Sequence, residues 1–226
     1  MTFRSEPVFF LRHVLLRQET MQTIDETRLQ TDVQYRYEYL AEFIGFGPDD
    51  VALIQGFAPH IGPRIAELVE LTYQKLLAYD ATARHFVPRQ HGYDGEVPTN
   101  LADVTSEHPQ IKFRMDHLNR YFMQLIGRSY DAKMVQYLDM VGRIHTPKAG
   151  SKLIDVPLVQ MNALIGMLSD IILKVIAESP LDSATALKTQ RAFNKLLWIQ
   201  NDMVTRHYCS SETTSGSPET TNGSGS

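Results

Sequence analysis

His145 is the most conspicuous candidate for chemistry in this chain. It continues an apolar stripe of Met134, Leu138 and Val141 at spacings of four, three and four, so its imidazole faces inward from a helix. Thr146-Pro147 follows directly, and proline at that point stops a helix shortly after the histidine. An inward imidazole is costly unless its second nitrogen finds a partner. On spacing alone His145 also fits an ordinary core histidine bonded to a backbone carbonyl. Tyr73 is the second candidate. It lies among Val69, Leu76 and Leu77 on one helix face, which aims a hydroxyl at an apolar interior where a buried phenol needs a partner. Taken by itself it fits a core tyrosine whose tip reaches a backbone group. Other chemistry finds no support. There is no Gly-rich phosphate loop, no His-Glu-x-x-His and no Gly-x-Ser-x-Gly, and no two of the eight histidines stand three or four residues apart.

The elements that hold these residues are helical by their periodicity. An aromatic-rich helix is expected over Tyr35–Phe46, stopped by Gly45-Phe46-Gly47-Pro48. Asp49 is the expected cap of a second helix reaching about Phe57. Pro63 opens a third, with Ile65, Leu68, Val69, Leu76 and Leu77 inward, and a short piece ends at Phe86. Residues 87–107, with Pro88, Pro98, Gly92 and Gly95, read as a long irregular loop, a feature that is usually functional or mobile. A fourth long helix carries Ile111, Met115, Leu118, Phe122 and Leu125, and the fifth carries the His145 stripe. Pro157 opens the sixth, to about Ser179, and Asp182 or Ser183 caps the seventh, to about Tyr208. Strand alternation is absent. The expected class is all-α in one domain over 33–208. Residues 1–32 are expected to be a poorly ordered extension, and 209–226 a flexible Ser/Thr/Gly-rich tail.

The sixth predicted helix is apolar over an arc of roughly 200°, about twice what one core face needs. Leu164, Ile165, Leu168, Ile171, Ile172, Leu173, Val175 and Ile176 make up that arc. Either the helix is central to the domain, or it joins the seventh, with Phe193, Leu197 and Trp198, in a homodimer.

Composition excludes several classes. With 22 Lys+Arg against 26 Asp+Glu, the net charge of −4 gives no basic face for nucleic acid. Cys209 is the one cysteine, which rules out a disulfide framework and suits a reducing compartment, the cytoplasm by default. The apolar run Pro7–Leu16 is broken by Arg12 and His13 and is too short to span a bilayer, so no membrane insertion is expected.

An all-helical core with one inward histidine and one inward tyrosine, lined by Leu118 and Phe86, suits haem: an imidazole on the iron, apolar walls, and one polar donor opposite. Gly127-Arg128-Ser129-Tyr130-Asp131 precedes Val141-Gly142-Arg143-Ile144-His145 and Val156-Pro157. Leu71-Thr72-Tyr73-Gln74-Lys75-Leu76 precedes His85-Phe86. With the extra helix at 35–46, these motifs resemble protoglobins and the globin domains of globin-coupled sensors over roughly residues 33–208. The resemblance implies a globin-like fold with an additional N-terminal helix, and haem b held by His145 as the iron ligand. It puts Tyr73 in the place of the distal tyrosine, Leu118 over the distal face, and Phe86, Leu164 and Met167 against the porphyrin. Arg114 stands where the usual distal histidine would be, and His117 should point about 100° away from Leu118. The implied function is reversible binding of O2, CO or NO by a stand-alone protoglobin, or a gas sensor without an output domain. Two rivals are a haem enzyme acting on NO or reactive oxygen species and a haem-free helical signalling module.

Overall fold

The computed structural model describes residues 21–149 and 152–209. Nine α-helices follow one another, and there is no strand among the described residues. They are α1 (Glu26–Thr31), α2 (Val33–Ile44), α3 (Pro48–Ile61), α4 (Ile65–Leu77), α5 (Asp80–Ala83), α6 (Pro109–Gly127), α7 (Ala132–Arg143), α8 (Leu158–Ala177) and α9 (Ser183–Thr205). Short 3-10 turns lead into α4 at Gly62–Arg64 and follow α5 at Arg84–Phe86.

Local chemistry explains most boundaries. Gly45, with φ of 73°, ends α2 in the left-handed conformation that glycine adopts without a Cβ clash. The next helix starts two residues earlier than a cap at Asp49 would set it. Gly47 is its cap, Pro48 opens it, and Asp50 accepts from the Gly47 amide at 3.0 Å. It also runs past Phe57 to Ile61, with Pro59 inside it. Asp131 and Asp182 cap α7 and α9 through the amides two and three residues on. The expected extension over 1–32 lies partly outside the described residues. Within them, Glu26–Thr31 form α1, capped by Asp25 and with no buried residue. The tail after Cys209 lies outside the described residues.

Packing centres on α9, which crosses α8, α3 and α7, while α4 lies on α6 and α2 lies across α7 and α9. Phe193, Leu196, Ile199 and Met203 bury one face of α9 completely or nearly so. Each such side chain contributes about 1.5–3 kcal/mol. Three half-buried ion pairs fix the surrounding helices to α9: Arg36 on Asp202, Lys195 on Asp50 at 2.9 Å, and Arg206 on Asp139. Among the described residues α8 alone is long and apolar enough to cross a membrane, with a mean hydropathy of 1.5. It packs along α9 and lines the interior with one face, and with 28% of this stretch buried its apolar arc is wider than the fold covers.

The loop after Phe86 is tied down by two buried glutamines. Gln110 at the start of α6 accepts from the Gln90 amide at 3.1 Å and donates to the Phe86 carbonyl at 2.7 Å. Gln90 in turn donates to the carbonyls of His85 and Pro88. These bonds hold Phe86 and His85 in place without any helix of their own length.

Candidate haem site

α4, α6, the end of α7 and α8 enclose a cavity of about 470 Å³, within the size range of pockets that take a cofactor. His145 forms one side of it. The helix ends at Arg143, and the histidine sits in the turn just beyond. Its Nδ1 donates to the Val141 carbonyl at 2.8 Å, which leaves Nε2 as the unprotonated nitrogen. The backbone is pinned as well: the Val156 amide donates to the His145 carbonyl at 3.0 Å, and the Tyr208 hydroxyl donates to the Val156 carbonyl at 2.8 Å. Burial pushes the imidazole pKa down to about 4, the Arg114 charge pushes the same way, and the Val141 bond opposes both. The ring is therefore neutral near pH 7 and competent to ligate a metal.

Gly142 controls the approach of this turn to α9. A Cβ there would meet the Met203 carbonyl oxygen and, at 2.8 Å, Val204 Cα. No side chain fits without moving α7 off α9. The Gly127–Asp131 motif acts one step further back. Tyr130 donates to the Leu125 carbonyl at 2.7 Å and meets Phe46 edge-on, while Asp131 caps the helix that carries the histidine.

Tyr73, 3% exposed, lines the cavity from α4, its ring 5.6 Å from that of Phe86. Burial raises its pKa and the Arg114 guanidinium partly counters this, so the phenol keeps its proton. Leu118 lines the cavity from α6 and Leu164 from α8. Met167 does not. The lining residues of α8 are Gln160, Met161, Leu164, Ile165 and Leu168, and Met167 is turned about 100° from the centre of that stripe. It packs, half-buried, against the core instead, and Met161 and Leu168 take the place it was expected to fill.

On α6 the cavity-facing set is Arg114, His117, Leu118 and Tyr121, with Arg114 and Tyr121 at its centre. His117 and Leu118 do diverge by about 100°, yet both border the space from opposite flanks. His117 Nδ1 bonds to the Phe113 carbonyl at 2.7 Å, and burial lowers its pKa. Sequence reasoning attached no role to Arg114, although an arginine four residues before Leu118 on an apolar face was a visible signal. It also passed over His85 and Gln160, which carry no periodic signal.

The donor set fits a haem: one neutral imidazole nitrogen without a protein partner, walls of Ile144, Leu118, Met161 and Leu164, and Tyr73 as a polar donor. No cluster of three or more His, Cys, Asp or Glu side chains suited to a bare metal ion occurs among the described residues.

The fold is similar to the globin domain of a Geobacter sulfurreducens globin-coupled sensor. The TM-score is 0.60 at 16% identity, over 76% of this chain and 96% of that one. No curated protein matches the sequence. The Protoglobin family profile matches residues 33–214. The all-helical globin-like fold, the motifs around Tyr73 and His145 and this match agree: the chain belongs to the protoglobin family, whose members are haem-binding globins.

Proposed function

We propose that this protoglobin holds haem b through His145 and binds a diatomic gas, O2, CO or NO, reversibly on the opposite side. The observation that carries the reading is the His145 ring, with Nδ1 committed to Val141 and Nε2 turned to an apolar cavity. Haem supplies an iron with one coordination position open to such a gas. Covalent attachment lacks its thiols, because Cys209 is the only cysteine and no Cys-x-x-Cys-His occurs; that favours the b type. One exposed cysteine also suits the cytoplasm.

Tyr73 gives the distal side its selectivity. Its protonated hydroxyl donates to O2, a far better acceptor there than CO, while Phe86 and Leu118 keep water away. The test is release kinetics from Tyr73→Phe. Losing a bond worth about 1–3 kcal/mol speeds O2 release roughly 5- to 150-fold and leaves CO release nearly constant. An unaltered O2 off-rate removes Tyr73 from this role.

We further propose a homodimer through α8 and α9. Trp198 is 61% exposed, and a groove between the two helices is lined by Ile165, Gly166, Leu197 and Trp198, flanked by Asn162 and Asn194. The same apolar patch on a second copy covers it by two-fold pairing. Sedimentation of the chain at twice its monomer mass supports the dimer, and a monomer at micromolar concentration overturns it.

A further inference from the structure

Arg114 sits at the centre of the cavity-facing stripe of α6, yet it enters no ion pair among the described residues. Its Nε is buried without a hydrogen-bond partner. The other half-buried arginines among the described residues are matched: Arg36 to Asp202, Arg64 to Glu67 and Glu178, and Arg206 to Asp139. A guanidinium does not shed its proton, so a cation turned to an apolar space is costly until an anion meets it.

The position of this charge is informative. It favours ionisation of the Tyr73 phenol and opposes protonation of His145. Arg114 lines the same cavity as both, and its charge reaches His117 as well. The lining opens to solvent elsewhere, where exposed His91 lines the cavity. A haem carboxylate seeks that opening and its water.

We propose that Arg114 and the Tyr73 hydroxyl form a binding site for a small monoanion on the side of the cavity opposite His145. The guanidinium supplies charge and paired N–H donors, and the phenol supplies one more donor. The occupant is an anion of a few atoms, such as azide, that enters when the iron is ferric; the inference rests on the haem reading above. Arg114 thereby sets anion-over-neutral selectivity, as Tyr73 sets O2 over CO.

The test is absorbance titration of the ferric, haem-loaded protein with azide and, as a neutral ligand, imidazole. Removing a charge-assisted bond in Arg114→Met weakens azide roughly 10- to 150-fold, with imidazole affinity unchanged. Arg114→Lys, which keeps the charge without the planar fork, falls between. Azide affinity equal to that of the parent protein in Arg114→Met overturns the proposal. Haem transfer to excess apomyoglobin separates the other anion source. Faster transfer from Arg114→Met with unchanged azide affinity places the guanidinium on a haem carboxylate and also overturns it. A parent protein without any Soret band overturns the haem reading itself, and this site with it.

Discussion

Around His145 the polar groups are taken up by the protein: Nδ1 by Val141, the carbonyl by the Val156 amide, and the Thr146 hydroxyl by the Arg143 carbonyl. Across the cavity, α4 and α6 bring Tyr73 and Arg114 to the surface of the same space, where the guanidinium meets the phenol and its buried Nε is without a hydrogen-bond partner. One wall leaves over only the imidazole nitrogen and the Gln200 Oε1, both acceptors, and the other is left with donors to spare. That contrast separates the work of the two sides. The satisfied wall fixes a ligand atom in position, at the expense of tight helix contacts. The unsatisfied wall keeps its donors for a guest.

Damage to the satisfied wall is the more severe test of this contrast. Gly142→Ala forces a Cβ against the backbone of Met203 and Val204, which has no flexible end to yield. Overpacking of this kind costs about 1–3 kcal/mol or more, so the melting temperature falls, and haem is held less firmly because His145 lies three residues on. A melting curve and haem-retention assay equal to the parent would show that the proximal turn is not held by this contact. On the unsatisfied wall the effect is confined to ligands. Tyr73→Phe leaves an apolar ring of the same shape and little change in stability, and shifts O2 release by the factor given above. A large loss of stability in Tyr73→Phe would erase the distinction between the walls.

Much of this arrangement was legible in the amino-acid order. The stripe Met134, Leu138, Val141 and His145 runs on to the ligand position because the turn after α7 continues the helical course for two residues. The apolar breadth of α8 is used only in part by the cavity, and the remainder lies toward the groove beside Trp198. What escaped notice follows from physics that periodicity does not register. α1 buries nothing, so it leaves no apolar repeat, only its caps. The start of α3 depends on a bond from the Gly47 amide to the Asp50 carboxylate, which competes with the plainer Asp49. Met167 was expected at the porphyrin only through the family resemblance, but a residue three places after Leu164 on a helix stands 60° off it, here on the side away from the lining stripe. Gln90 and Gln110 order the loop through buried amide bonds between residues twenty apart, which no local pattern reveals.

The central claim is one imidazole nitrogen on an iron whose other side admits a gas. The absorption spectrum of the reduced protein, recorded before and after addition of CO, tests it most directly. The account predicts a five-coordinate ferrous haem spectrum that converts fully to a sharp CO complex, and no stable haem of this kind in His145→Ala without added imidazole. A colourless protein, a spectrum that CO leaves unchanged, or normal haem spectra retained in His145→Ala would contradict it.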